Sequence, residues 1–174
     1  GYTDVAQVYD PGATTAAVTA AIENGVGLIN YIGHGSQQTW ITSAFNSGDV
    51  SALNNKNMWP WIVSVACDVG RFNVGECFAE SWLRATTDDG DAAGAVAVFM
   101  STIDQSWAPP MKGQDIIAAH EEAGTLPRLG ARCASGTNAM VATFHQNHGH
   151  ETIGTRGRCV NHWCCWCSWA NSGR

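Results

Sequence analysis

The sequence predicts an α/β fold built on a mostly parallel sheet, and two features indicate this class. Short apolar segments rich in β-branched residues alternate along the chain with patterns typical of helices. Three segments have the composition of buried core strands, at residues 28–33, 61–66 and 94–100. Strands that alternate with helices are typical of layered α/β domains, so an all-β sandwich and a helical bundle are excluded. We expect the strands to lie in one sheet that is covered on both faces.

The first part of the chain supplies a strand, a turn and a helix before the first core strand. Residues 5–9 read Val-Ala-Gln-Val-Tyr and are predicted to form a short strand. Residues 10–12 read Asp-Pro-Gly, which is typical of a turn. A helix is expected over residues 16–24, with Thr14 or Thr15 as its N-terminal cap.

Further helices separate the later strands. A short helix is predicted near residues 49–54, and longer ones over residues 76–86 and 112–123. Residues 101–111 contain two consecutive prolines and are predicted to form a loop. Residues 137–144 fit either a helix or a strand, and no period is followed after His145.

The length, charge and composition of the chain limit the classes of protein to which it can belong. With 174 residues, the chain is long enough for one domain with an apolar core. The net charge is −6 and the Lys and Arg residues do not cluster, so we expect no nucleic-acid partner. No run of about 18 apolar residues occurs, so we expect no membrane span. The sequence begins at Gly1 without a visible signal peptide, and we interpret it as part of a longer protein.

Two of the core strands each end in a reactive side chain. The first is followed by His34 and the second by Cys67. If the two strands are parallel neighbours, the imidazole and the thiol lie side by side at the carboxyl edge of the sheet, where ligands bind in such folds. A thiol beside an imidazole is the nucleophile and base of a cysteine peptidase. The alternatives are a cysteine that serves as a small buried apolar residue and a histidine that belongs to a structural loop.

A peptidase of this kind also needs hydrogen-bond donors for the negative oxygen of its tetrahedral intermediate. The backbone N–H groups of Gly35 and Cys67 are the predicted oxyanion hole. Gly35 follows the histidine directly and has no side chain that could block a substrate backbone.

Four motifs, which agree in order and spacing, resemble those of the gingipain family of caspase-like cysteine peptidases. They read NYIGHGS at residues 30–36, AC at 66–67, CFAE at 77–80, and STIDQSW with MKGQD at 101–107 and 111–115. The resemblance is greatest to the arginine-specific members. It implies a caspase-like three-layer α/β sandwich, incomplete here, in which His34 is the catalytic histidine and Cys67 the nucleophile.

The resemblance also implies an activity, a location and a division of the chain. It implies an endopeptidase that cleaves protein or peptide substrates after a basic residue, Arg in preference to Lys, and that is secreted or exposed on the cell surface. Residues 1–125 would be the core of the catalytic domain without its N-terminal part, and residues 126–174 the remainder. The rival interpretation is a catalytically inert remnant that acts as a binding or structural module.

By the same resemblance, Gln105, Trp107 and Met111 would line the pocket for the basic side chain of the substrate. An indole face and a thioether suit the apolar stem of an arginine. The alternative for Trp107 and Met111 is simple core packing. The acidic residues that would pair with the guanidinium and with His34 have no match in this chain and are expected upstream of Gly1.

The chemistry requires no cofactor, but the resemblance implies a structural calcium ion. Its ligands would be the Phe72 carbonyl and the Glu80 carboxylate, since hard oxygen donors suit Ca²⁺. The alternative for Glu80 is a solvated or salt-bridged residue of a helix.

The C-terminal tail carries an unusual density of rare residues. Four of the seven cysteines lie at positions 159–167, after His145, His148, His150 and Glu151. A zinc site is one interpretation, although no clean pair of C-x-x-C motifs is present. We hypothesise instead a frameshift, because Arg-Gly-Arg at residues 156–158 stands where the family continues Trp-Thr-Val, which the same codons can encode one base over. A clean open reading frame in independent clones of the coding DNA would remove this hypothesis.

Overall fold

The computed structural model describes residues 2–73, 75–144, 159–160 and 163–167. These residues form a five-stranded sheet with helices on both faces and a small three-stranded sheet beside it. In chain order the elements are α1 (Thr15–Glu23), β1 (Leu28–Ile32), β2 (Gly35–Ser36), β3 (Thr39–Trp40), a 3₁₀ turn (Ile41–Ser43), β4 (Phe45–Asn46), α2 (Ser47–Ser51), β5 (Trp61–Val65), α3 (Phe78–Arg84), β6 (Ala97–Ser101), α4 (Ala108–Glu122), α5 (Leu129–Phe144), β7 (Cys159–Val160) and β8 (Trp163–Cys167).

The main sheet confirms the predicted α/β class. Its strand order is β1-β5-β6-β8-β7, and the three predicted core strands are consecutive and parallel. Leu28 of β1 lies opposite Trp61 of β5, and Trp61 lies opposite Ala97 of β6. Strand β8 pairs antiparallel with β6. The carboxyl ends of β1, β5 and β6 therefore meet at one edge of the sheet.

Burial on both faces is confirmed for two of the three predicted core strands. Every residue of β5 and β6 is buried. Strand β1 alternates between half-buried and exposed residues, so the expectation is wrong for this strand. The physical reason is its place in the sheet, since β1 has a neighbouring strand on only one side within the described residues.

Alternate residues of β5 point to opposite faces of the sheet and separate two apolar layers. Ile62 and Ala66 pack with α1, α2 and α3 on one face, whereas Trp61, Val63 and Val65 pack with α4 and α5 on the other. The result is the predicted three-layer arrangement, in which the sheet is the middle layer.

One aromatic side chain connects the loop after β1 to the middle of the core. Trp40 is buried and its indole N–H donates to the Ser64 hydroxyl at 2.9 Å, which satisfies both polar groups inside the core. Four further rings surround it, those of Tyr31, Phe45, Phe78 and Trp82. This packing fixes the hairpin of β2 and β3 against the sheet.

Three elements differ from the sequence-based expectations. Residues 5–9 form no strand, and Val5 and Tyr9 are 71% and 70% exposed because no neighbouring strand covers them. Helix α4 begins at Ala108, before the predicted start, since Pro109 and Pro110 occupy a first turn that needs no N–H donors. Strands β7 and β8 lie in the tail, where no period was found in the sequence.

The C-terminal helix is longer than predicted. Of the two possibilities for residues 137–144, the helix is confirmed, and it begins already at Leu129. Its buried residues Cys133 and Met140 pack on the same face of the sheet as Ile117 of α4. In the portion of the chain with described coordinates, no helix is long and apolar enough to cross a membrane.

The start of β6 depends on a glycine, which gives the first testable prediction. Gly94 and Gly90 both have positive φ, at 77° and 81°, but an added Cβ would overlap the Trp82 carbonyl only at Gly94. Gly90→Ala should destabilise the protein by about 1 kcal/mol, through backbone strain alone. Gly94→Ala should cost about 2 kcal/mol more, since the backbone of α3 must move. Urea unfolding measures both, and equal losses would contradict the role assigned to the Trp82 contact.

Candidate active site

The register between β1 and β5 places His34 and Cys67 at the same level. Ile32 lies opposite Val65, and the next residue continues the pairing, because the Gly33 N–H donates to the Val65 carbonyl at 3.1 Å. His34 and Cys67 each follow their last paired residue by two positions. The prediction that the two strands are parallel neighbours and end together is confirmed.

The backbone of His34 is held on both sides by hydrogen bonds. Its N–H donates to the Thr42 hydroxyl at 3.1 Å, and its carbonyl accepts from the Tyr31 hydroxyl and the Ile41 N–H, both at 2.9 Å. A Cβ on Gly33 would overlap the side chains of Tyr31 and Thr42. These contacts fix the position at which the imidazole extends from the sheet. Neither Tyr31 nor Thr42 was predicted from the sequence to position His34.

Tyr31 itself is positioned by packing. Its ring stacks on Trp40, with centroids 4.4 Å apart and planes 12° apart. Burial raises the pKa of Tyr31, while its hydrogen bond with Thr42 acts in the opposite direction. The hydroxyl therefore remains a neutral donor to His34 at physiological pH. The sequence of β1 does not indicate that Tyr31 positions His34, because this contact depends on the fold of the following hairpin.

Gly35 lies against the strand that ends in the cysteine. A Cβ at this position would be 2.7 Å from both the Cys67 carbonyl oxygen and the Ala66 Cβ. Because neither the backbone nor the buried Ala66 can give way, only glycine fits. The sequence suggested access for a substrate as the reason for a glycine here, whereas the structure shows close contact between the two loops.

The sulfur of Cys67 is half-buried and contacts the backbone of one residue. The Gln105 N–H donates to Sγ at 3.3 Å, and Sγ lies 3.8 Å from the Gln105 carbonyl. Gln105 follows β6, so three neighbouring strand ends contribute to the surroundings of the thiol. The side-chain amide of Gln105 donates to the Ser101 hydroxyl at 2.6 Å.

The three thiols whose surroundings the structure describes differ in access to solvent. Cys77 and Cys133 are buried, whereas Cys67 is partly exposed. Burial raises the pKa of Cys77 to about 11, so this thiol stays protonated at neutral pH. Because Cys67 is partly exposed, it is not a buried core residue.

Two of the predicted pocket residues are exposed apolar side chains. Trp107 is 47% exposed, and its ring meets His34 edge-on with centroids 5.4 Å apart. Met111 is 38% exposed and lies one helical turn further, where its N–H donates to the Trp107 carbonyl at 3.1 Å. Simple core packing does not describe either residue. The structure thus brings Gln105 to Cys67 and Trp107 to His34.

The imidazole of His34 is exposed, and its ring contacts the ring of Trp107. Within residues 2–73 and 75–144, no carboxylate forms a hydrogen bond or ion pair with that ring.

The predicted calcium ligands lie at and before the start of α3. Glu80 is half-buried, and its Oε2 accepts from the Cys77 N–H at 2.9 Å, which caps the helix. Phe72 is an exposed residue of the preceding loop. Across the described parts of the chain, no three His, Cys, Asp or Glu side chains are placed to share a metal ion. Residues 145–151 of the zinc interpretation lie outside the described residues.

Comparison with known proteins identifies the family. The sequence profile of peptidase family C25 matches residues 2–157. Gingipain R2 of Porphyromonas gingivalis is 47% identical over 160 residues, which cover 89% of this chain and 22% of the relative. Lys-gingipain HG66 of the same species is 31% identical over 108 residues, covering 62% of this chain and 6% of the relative.

A solved structure supports the same relationship. The crystal structure of the Arg-specific cysteine proteinase gingipain R matches with a TM-score of 0.78 and 41% identity. The match covers 83% of this chain and 34% of that chain. The present chain therefore spans about a third of that structure and a smaller share of the curated relatives.

The difference in burial between the thiols gives a second prediction. Iodoacetamide at pH 7–8 should modify Cys67 in the folded protein and leave Cys77 intact, because thiolates are the reactive species and Cys77 is both buried and protonated. Modification of Cys77 should begin only as the pH approaches about 11. Peptide mapping by mass spectrometry distinguishes the two sites, with protein in urea as the control in which both react. Equal rates in the folded protein would contradict the prediction.

Proposed function

The chain belongs to peptidase family C25, the gingipain cysteine peptidases, and on this basis we propose that it supplies the nucleophile and base of an endopeptidase that cleaves after a basic residue. The observation that carries the proposal is the partly exposed Cys67, placed level with His34 on adjacent parallel strands. The relationship to the Arg-gingipains supports arginine in preference to lysine at the cleaved position.

The proposed reaction is acyl transfer through a thioester. The Cys67 thiol gives its proton to His34, and its sulfur attacks the carbonyl carbon of the peptide bond. The backbone N–H groups of Gly35 and Cys67 would stabilise the oxyanion, a contribution of about 3–4 kcal/mol for one such donor. His34 then protonates the departing amine, and water hydrolyses the thioester to return the free thiol.

The basic side chain of the substrate would lie against Trp107 and Met111. Both are exposed, Trp107 lies beside His34, and the two offer an apolar surface to the stem of an arginine, while an indole face attracts the guanidinium. Gln105 would contribute through its backbone, since its side-chain amide is directed to Ser101.

A second candidate function is a catalytically inert module that binds proteins. The observation that favours it is the imidazole of His34, which has no carboxylate partner in the described part of the chain. Without such a partner the tautomer and the orientation of the imidazole are less well defined.

A secreted or cell-surface location is proposed from the family alone.

The activity separates these two candidates. A peptidyl-arginine probe that reacts with thiols should label the full polypeptide at Cys67, and Cys67→Ala should abolish the labelling. His34→Ala should slow it about 10²–10⁴-fold, as expected for loss of an acid–base group. Cys133→Ala is the control, because it removes a buried thiol far from these loops. Labelling that persists in Cys67→Ala would contradict the assignment of Cys67 as the nucleophile, and a wild-type polypeptide that is not labelled would favour the inert module.

A structural calcium ion near Phe72 and Glu80 is a further proposal. Ca²⁺ takes six to eight oxygen ligands, so the Phe72 carbonyl and the free oxygen of Glu80 would need several others. Glu80→Gln should weaken the metal site and keep the helix cap, since glutamine also serves in a capping box. Calcium should raise the melting temperature of the wild-type protein but not of Glu80→Gln. If neither calcium nor a chelator changes the melting temperature of the wild type, no such ion is bound.

A further inference from the structure

A cavity that was not predicted from the sequence lies between the two loops that carry the chain neighbours of Cys67 and Gln105. It is built by the loop after β5 and the loop after β6, and its volume is about 320 Å³. It is lined by Asp68, Arg71, Asn73, Thr102, Ile103 and Asp104. The lining begins with Asp68, which follows Cys67 in the chain, and ends with Asp104, which precedes Gln105, the residue whose backbone N–H contacts the Cys67 sulfur.

Backbone hydrogen bonds hold the two walls together. The Asp68 N–H donates to the Ile103 carbonyl at 3.2 Å, and the Gly70 N–H donates to the Ser101 carbonyl at 2.7 Å. A Cβ on Gly70 would lie 3.0 Å from that same Ser101 oxygen, so a side chain at this position would crowd the second loop. Asp68 turns the chain with φ of 58°. The cavity is therefore formed before any ligand arrives, which lowers the entropic cost of binding.

The charges of the cavity favour a cation. Two carboxylates face one guanidinium, and Arg71 lies 3.4 Å from Asp68 with side chains that are 46% and 20% exposed. A partly exposed pair of this kind neutralises one of the two carboxylates and contributes little to stability. Asp104 is exposed and forms no ion pair with any described residue. The cavity keeps one unneutralised negative charge.

We propose that this cavity is an accessory subsite for a cationic side chain next to the residue at which the substrate is cleaved. This inference rests on the proposed peptidase function. Consecutive Cα atoms of a peptide lie 3.8 Å apart, so a residue that flanks the scissile bond can reach a cavity that begins one residue from the nucleophile. Substrates with two adjacent basic residues would then be preferred over those with one.

An acidic flanking side chain is the less favourable ligand. It would have to displace Asp68 from Arg71 and would still be repelled by Asp104. A basic side chain meets Asp104 directly and leaves the Arg71–Asp68 pair in place. Two opposite charges about 4 Å apart in water attract by about 1 kcal/mol, which corresponds to about a fivefold change in an equilibrium constant.

The test compares peptides that share an arginine at the cleaved position. The flanking residue on either side is Lys, Ala or Glu, and kcat/KM is measured with the full polypeptide. We expect the Lys peptide to be cleaved about fivefold faster than the Ala peptide, for one of the two flanking positions, and the Glu peptide to be slowest. The preference should shrink as the salt concentration rises, because the charges are exposed.

Variants locate the preference in the cavity. Asp104→Asn should reduce the ratio of kcat/KM for the Lys peptide to kcat/KM for the Ala peptide to about one. Asp88→Asn is the matched control, since it neutralises an exposed carboxylate in the turn after α3, away from the cavity. Arg71→Gln should increase the advantage of Lys by removing the competing cation.

The outcomes distinguish the subsite from the function on which it rests. Cleavage of all three peptides at equal rates, or an advantage of Lys that survives Asp104→Asn, overturns the subsite and leaves the peptidase intact. Faster cleavage of the Glu peptide shows that Arg71 recognises an anion and also overturns it. Cleavage of none of the peptides overturns the peptidase and the subsite together.

Discussion

The parallel pairing of β1 with β5 is the constraint on which the candidate site depends. Because Leu28 lies opposite Trp61 and Ile32 opposite Val65, the two strands end together, and His34 and Cys67 follow at the same level. A slip of one residue would reverse the faces of β1 and separate the two side chains. The register is fixed by burial, since β5 carries one apolar layer on each face. Core packing thereby determines the chemistry at the sheet edge.

Close contacts between loops convert that register into a defined site. A Cβ on Gly35 would overlap the Cys67 carbonyl, and a Cβ on Gly70 would crowd the Ser101 carbonyl. Trp40 anchors the hairpin after His34 through its hydrogen bond to Ser64. The thiol receives a hydrogen bond from the Gln105 backbone. Residues from the ends of all three parallel strands are thus held within one small region, although they are distant in the sequence.

The sequence predicted the elements whose signal is local. Residues 61–66 were recognised as a buried strand, and the helix after Thr14 was found because its cap and its apolar face are encoded within a few residues. The strand predicted at residues 5–9 is absent, since a suitable local composition does not provide a neighbouring strand to pair with. The prolines at 109–110 indicated a loop, but in a first helical turn they are tolerated. The assigned functions of His34, Cys67 and the pocket residues stay predictions.

The sequence alone determined the fold class, the three parallel strands and the family, because composition, period and motifs are properties of short stretches of chain. It also placed His34 and Cys67 at strand ends, which is a statement about position along the chain. Only the tertiary structure decided that Tyr31 and Thr42 hold His34, that Trp107 lies against its ring, and that the loops after β5 and β6 enclose a charged cavity. These contacts join residues from different elements, and such distances are set by the packing of the whole domain.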